Sequence, residues 1–315
     1  MPDDLAARLN AATARLIGRP VTAEERFGIA VSGGADSMAL LAAAAACWPG
    51  QVAAATVDHA LRPDARAEAG MVGQWCAAQG IAHAILDAQI DRSGNLQAQA
   101  RAARYALLAD WRAGQGLDWL MTAHQADDQI ETLILRLNRG AGVSGLSGIR
   151  ARRDRLLRPL LCERRAQLRA WCVARGVPFV DDPSNSDTRF DRVRLRAALG
   201  GAPWIDPAGL ARSVDVLAQA DAALVWATDE LAGQALDLGE GSARLTRTDL
   251  PQDLLRRLLL RMIAHVNPGA ENPRGPSLDQ ALVQLSHGRT ITMADCVISS
   301  GAAWIVRRAP PRKAR

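Results

Sequence analysis

Gly28-Ile29-Ala30-Val31-Ser32-Gly33-Gly34-Ala35-Asp36-Ser37 is the stretch on which the reading of the fold turns. Four apolar residues end in a turn with two glycines, and the apolar segment Asp36 to Trp48 follows at once. A short apolar run bounded by glycine reads as a buried strand, and a longer one opening on Asp reads as a helix. Two adjacent glycines permit φ > 0 and let backbone approach a ligand. The helix start points unpaired N–H groups and the positive end of its dipole at the same turn. Ser32, Gly33, Gly34, Ala35, Asp36 and Ser37 therefore form a candidate anion site. The competing reading is an ordinary β–α turn with an Asp cap.

The same alternation continues outward. Residues 51–57, 81–86 and 117–122 read as strands, and 65–79, 96–111 and 126–139 as helices. Strand–helix alternation with continuously apolar strands predicts an α/β fold, a parallel sheet covered on both faces. Ligands of such sheets bind at the carboxyl ends of the strands. The glycine-rich 140–148 reads as a mobile loop, 156–161 as an edge strand, 163–175 as a helix and 181–187 as a turn-rich loop. Glycines and prolines between 200 and 207 predict a boundary, giving domains 1–204 and 205–315. The second domain reads as mainly helical (208–236, 250–266, 278–286), with a small β element from 290–298 and 303–307 and a disordered basic tail, 307–315.

A second cluster sits at the fourth strand's exit. On a helix of about 100° per residue, His124, Asp127, Asp128 and Glu131 share one face, opposite Ile130, Leu133, Ile134 and Leu137. Crowded carboxylates repel one another unless a cation sits among them. Hard oxygens suit Mg²⁺, which usually takes one or two carboxylates plus phosphate oxygens, and the same face suits the ammonium of an amine. His124 is a candidate general base or phosphate contact.

Composition narrows the classes. The 315 residues are 49% hydrophobic and 23% charged, ordinary for a globular chain. The longest apolar run, Met38 to Trp48, is about half of what a membrane span needs, so no membrane partner is expected. No basic segment precedes an apolar one at the start, so no signal peptide is expected, and the expected location is cytoplasmic. None of the five cysteines shares a C-x-x-C spacing with another, which argues against a zinc ribbon, an iron–sulfur site or a redox pair. The single lysine, Lys313, leaves no Walker-A loop. Residues 1–135 carry 10 Arg against 15 acids, and residues 136–315 carry 28 basic against 18 acidic residues, a net −5 beside a net +10. A basic half next to an acidic one predicts a polyanion surface beside a chemical site. Arg152, Arg153 and Arg155 are expected to be exposed at the rim of that site.

Ser-Gly-Gly-x-Asp-Ser after a strand resembles the loop of the PP-loop ATP pyrophosphatases, which cleave ATP between its α and β phosphates. The run Thr122 to Ile149 resembles the signature of the tRNA(Ile)-lysidine synthetase family. Val57-Asp58-His59-Ala60-Leu61-Arg62, Arg101-Ala-Ala-Arg104-Tyr105, Arg158-Pro-Leu-Leu161 and Asp182-Pro-Ser-Asn185 with Arg192 and Arg196 match it too. The chain departs from that pattern at Gln125, where a second histidine is more common, and at Val193, where asparagine is. The Gln125 position is accordingly read as inessential. Beyond 205 only the layout fits, as a tRNA-binding domain.

The resemblance implies an ATP-dependent ligase that joins free L-lysine to C2 of the wobble cytidine in the CAU anticodon of isoleucine tRNA, through an adenylated cytidine. ATP and Mg²⁺ are implied cofactors. Asp36 would help bind Mg²⁺ and phosphate, Asp128 and Glu131 would hold Mg²⁺ or the lysine ammonium, Arg104 would stabilise phosphate charge, and His124 would handle a proton or phosphate. Oligomeric state stays open, a homodimer included. The competing readings are a PP-loop tRNA 2-thiolation enzyme, against which the scattered cysteines speak, and a non-catalytic tRNA-binding protein.

Overall fold

A computed structural model describes residues 5–58, 65–88, 96–181, 191–200, 202, 205–271, 273 and 275–310. The motif residues His59 to Arg62 and Asp182 to Asn185 and the end of the basic tail, 311–315, lie outside the described residues. The chain divides into two compact units, Met1–Gly140 with Gly145–Val216, and Ala141–Ser144 with Leu217–Arg315.

In the first unit, β1 (Phe27–Ala30), β2 (Val52–Asp58), β3 (Ala82–Asp87), β4 (Trp119–Met121), β5 (Arg152–Arg153) and β6 (Leu156–Leu157) form one sheet in the order β3-β2-β1-β4-β6-β5. All neighbours run parallel except β5, which turns back on β6. The helices of this unit are α1 (Leu5–Ile17), α2 (Ala35–Cys47), α3 (Ala65–Ala78), α4 (Leu96–Gly114), α5 (Ala126–Leu137), α7 (Arg165–Ala174) and α8 (Asp191–Gly200); between α5 and α7 lies the one-turn α6 (Val143–Leu146).

Side-chain alternation sorts the two faces. Phe27, Ile29 and Val31 pack with Leu5 and Leu9 of α1, Met38 to Ala44 of α2, Val72 and Cys76 of α3 and Leu168 and Cys172 of α7. The opposite face carries Ala30, Ala55, Val57, Leu120 and Leu156 against Leu108 and Trp111 of α4. Gly28 sits there because a Cβ would stand 2.6 Å from the Trp111 ring. The α/β fold, with a mostly parallel sheet, is as read from the sequence, with element ends shifted by up to three residues.

Four local expectations are corrected. The glycine-rich 140–148 is not simply loose: it contains α6, and Arg136 Nη1 donates to the carbonyls of Gly145 and Gly148. The strand at 156–161 is only two residues long, since Pro159 has no N–H for the ladder; β5 takes the edge instead. Arg152, Arg153 and Arg155 are not at the rim of the site. They flank the β5–β6 turn at the amino ends of the parallel strands, with Arg152 and Arg155 over the Trp119 ring at 5.0 and 5.2 Å and Arg152 donating to the Leu16 carbonyl. Arg308 continues the strand that reaches Arg307 and does not belong to the tail.

The helix α9 (Pro207–Ala235) carries the division between the units. The second unit holds β7 (Leu236–Gly239), β8 (Ser242–Leu245), α10 (Gln252–Val266), α11 (Gly275–Ser286), β9 (Ile291–Met293), β10 (Cys296–Ser299) and β11 (Trp304–Arg308). Its antiparallel sheet, β7-β8-β11-β10-β9, packs Leu245, Ile298, Trp304 and Val306 on Leu258, Met262 and Leu282. The run 290–298 is broken into β9 and β10 by Ala294 and Asp295, both at positive φ, 51° and 53°. Among the described residues no helix is long and apolar enough to cross a membrane.

Candidate active site

Strand order reverses between β1 and β4, and the crevice beyond their carboxyl ends is where an open parallel sheet binds ligands. A cavity of about 370 Å³ lies there, lined among others by Ser32, Asp36, Ser37, Glu68, Arg104, His124 and Asp128. Gly33 takes φ +83°, the left-handed region, and its carbonyl accepts from Val180 N at 3.0 Å. Gly34 has an ordinary φ of −75° and caps α2. Of the two glycines only Gly33 uses the conformational freedom. Ser37 Oγ accepts from Ser32 N at 3.2 Å and donates to the Gly34 carbonyl at 2.9 Å, so this hydroxyl ties the loop into shape.

Asp36 stands on the first turn of α2. Burial pushes its carboxyl up to about 6 against the pull of Arg165, with the Asp128 charge adding to the rise. Its Oδ1 is buried without a hydrogen-bond partner. Asp128 and Glu131 come from α5, whose start is fixed by Gln125. That residue is fully buried; its Oε1 accepts from the N–H groups of Asp127 and Asp128, while Asp128 Oδ2 accepts from Gln125 N at 3.2 Å. Gln125 is thus the cap that aims Asp128, contrary to the reading of that position as inessential.

One guanidinium lies among the three carboxylates. Arg165 approaches Asp36 with Nε at 3.6 Å, Asp128 with Nη2 at 3.1 Å and Glu131 with Nη1 at 3.6 Å. Arg196 of α8 adds a second cation, its Nε 2.9 Å from Glu131 Oε1. Glu131 is 2% exposed, and its Oε2 has no partner. Burial raises the Asp128 pKa, with Arg165 opposing. Asp127 takes no part. Arg164 grips it at 3.2 and 2.7 Å and Arg165 N donates to it at 2.9 Å; these bonds outweigh burial and hold it below the usual carboxylate range. Among the described residues, no group of three or more His, Cys, Asp or Glu side chains is arranged to hold a metal ion.

The other wall of the crevice is cationic. His124 Nδ1 lies 3.0 Å from Thr122 Oγ1. Burial, then the charges of Arg158, Arg101, Arg104 and Arg192, lower its pKa to about 3. At neutral pH it is an uncharged hydrogen-bonding group and a weak base, which favours the phosphate-contact role over the general-base role. The site therefore faces Asp36, Asp128 and Glu131 with one cation set and His124 with another.

The glycine loop, the acidic helix start and the arginine wall together define a PP-loop nucleotide-binding domain, and residues 4–202 match the PP-loop domain family. The tRNA(Ile)-lysidine synthase of Novosphingobium aromaticivorans is 44% identical to this chain over 299 residues, which is 91% of this chain and 90% of that protein. That of Zymomonas mobilis is 40% identical over 298 residues, with the same two shares. Among solved structures, the U34-tRNA thiolase NcsA from Methanococcus maripaludis matches with a TM-score of 0.56 and 14% identity, covering 68% of this chain and 78% of that one, a likeness of fold alone. The chain belongs to the tRNA(Ile)-lysidine synthase family, enzymes that use ATP through a PP-loop domain.

Proposed function

We propose that the chain ligates free L-lysine to the wobble cytidine of isoleucine tRNA with a CAU anticodon, in the cytoplasm. The cytosine C2 oxygen attacks the α-phosphorus of ATP and expels pyrophosphate, leaving AMP esterified at O2. The ε-amine of lysine then attacks C2, loses a proton and expels AMP. Two bonds form and two break, and no protein nucleophile is needed.

The roles follow from position. Ser32, Gly33, Gly34, Ala35 and Ser37 shape the loop whose backbone N–H groups meet the phosphates. Arg104 steadies charge growing on the transferred phosphate. His124, uncharged, hydrogen-bonds a phosphate oxygen. Glu131, whose Oε2 is buried and unpartnered, takes the lysine ammonium, with Asp128 beside it. The unpartnered Asp36 Oδ1, with Asp128, offers the hard oxygen donors that would hold Mg²⁺, where the ion would neutralise phosphate charge. Residues 1–204 form the catalytic part and 205–315 the tRNA-binding part.

One observation carries this reading: Asp36 from the phosphate loop and Asp128 and Glu131 from α5 meet around a single guanidinium, so ATP and amine chemistry share one crevice. Thiolation is disfavoured, because Cys76, Cys172 and Cys296 are buried and Cys172 Sγ is engaged with the Ala35 carbonyl. The test is incubation with ATP, the tRNA transcript and radiolabelled lysine. Label in the tRNA with release of AMP and pyrophosphate is the expected result. Modification that needs a sulfur donor and never takes up lysine would overturn the reading.

A further inference from the structure

Tyr105 is the chain's only tyrosine, and three arginines converge on it. The guanidinium carbons of Arg101 and Arg104 lie 5.1 and 5.3 Å from the ring centroid, and Arg101 Nη2 lies 3.5 Å from the hydroxyl. The charge of Arg158, from the segment after β6, also acts on that hydroxyl and draws its pKa down. Arg158 is 7% exposed; its Nη1 donates to the Arg150 carbonyl at 2.6 Å, and its Nε is buried without a partner.

Like charges this close repel one another, and among the described residues none of the three pairs with a carboxylate. What holds them together is the tyrosine. Its ring face attracts two guanidinium groups electrostatically, and its oxygen is drawn to the charge of the third. The phenol in turn feels them: burial would raise its pKa, and Arg158, Arg101 and Arg104 together bring it below the usual value. Arg104 also lines the crevice, together with His124 and with Ser32, Asp36 and Ser37 of the glycine loop. A cationic set that pairs with no carboxylate among the described residues, and that holds a buried unsatisfied N–H, is a site that awaits an anion.

We propose that Tyr105 is a positioning residue that holds Arg101, Arg104 and Arg158 as a cradle for a phosphate anion, separate from the backbone N–H groups of the glycine loop. Two sources supply that chemistry, a phosphate of the nucleotide and a phosphodiester of the RNA; this choice of sources rests on the function proposed above.

The test uses the full chain and measures binding without turnover. The probes are α,β-methylene ATP, an unmodified tRNA transcript, and adenosine as the phosphate-free control. Tyr105→Phe keeps the ring and loses the hydroxyl, Tyr105→Leu loses both, and Arg158→Gln removes one cation. Tyr105→Leu should weaken one of the two phosphate ligands at least tenfold, Tyr105→Phe by severalfold, and adenosine binding should not change. Loss for the ATP analogue assigns the cradle to the nucleotide, and loss for tRNA assigns it to the RNA. Unchanged affinity for both, or an equal fall for adenosine, overturns the proposal. If Tyr105→Leu fails to fold, Tyr105→Phe and Arg158→Gln decide it alone. Lysine incorporation by the wild type tests the proposed function separately.

Discussion

His124 is the residue whose environment most changes its chemistry. Its folded pKa of about 3 lies below the ordinary 6.5. Between those values the unfolded chain binds a proton and the folded chain does not. The His124 contribution to stability is therefore intact above about pH 6.5 and is lost as pH falls toward 3. His124→Gln should remove that slope, so wild type should lose on the order of 1–2 kcal/mol relative to the variant between pH 7 and pH 5. Urea denaturation of both proteins at the two pH values checks this, and parallel pH dependences would show that neither burial nor the arginine wall disfavours the protonated ring. Asp36 shifts the opposite way but is present in both proteins. Its own role is chemical: Asp36→Ala should cut tRNA-dependent ATP–pyrophosphate exchange about a hundredfold or more. It should leave tRNA affinity nearly intact, and lost tRNA binding with normal exchange would contradict the assignment. Arg165, by contrast, is invisible in the sequence. It sits inside Glu163-Arg164-Arg165, which reads as one more piece of a basic stretch, and its three carboxylates come from α2 and α5. Spacing along the chain reports helical faces, and it cannot report a side chain that arrives from another element.

Elements with strong local patterns were legible. The continuous apolar run of α2 is buried almost throughout, and β1 alternates between two cores as a central strand must. Elements with weak local signals were not. The helix α1 shows one stripe, Leu5, Leu9 and Thr13, and is anchored by the distant pair Arg8–Glu163 at 2.8 Å. The two-residue strands β5 and β6 exist because β4 offers them a ladder, so only tertiary pairing defines them. The start of α5 is the instructive case. Glutamine is not among the favoured capping residues, yet Gln125 reaches two N–H groups from a buried position. Gln125→Ala should destabilise the fold by about 1–2 kcal/mol through loss of the cap. It should also lower kcat for lysine transfer, because Asp128 Oδ2 bonds to the Gln125 backbone and depends on that turn. Chemical denaturation and single-turnover kinetics read the two effects. A variant with full stability and rate would return the position to the inessential status that the family comparison suggests.

For the whole molecule the decisive quantity is charge. The net +10 over residues 136–315 is almost entirely arginine, and tRNA is a dense line of phosphates. Each phosphate neutralised releases counterions, so log K should fall with log salt at roughly 0.7–0.9 per contact, and a slope of about −4 or steeper is expected. Sequence position alone assigns part of that slope to Arg152, Arg153 and Arg155, which follow the glycine-rich segment. Their places in the fold argue otherwise. They stand at the amino ends of the strands, where Arg152 and Arg155 stack on Trp119 and Arg152 holds the end of α1. The crevice that holds Asp36 and His124 opens at the carboxyl ends. Replacing all three with alanine should therefore leave the salt slope and ATP affinity unchanged, and should lower the melting temperature through loss of the contacts to Trp119 and α1. Titrating tRNA from low to high salt with wild type and the triple variant measures both slopes. A slope shallower by about 2 in the variant would mean that the tRNA reaches round to the amino ends of the sheet. Parallel lines would locate the phosphate contacts among the arginines at the carboxyl ends, Arg101, Arg158 and Arg192 included, or in residues 205–315.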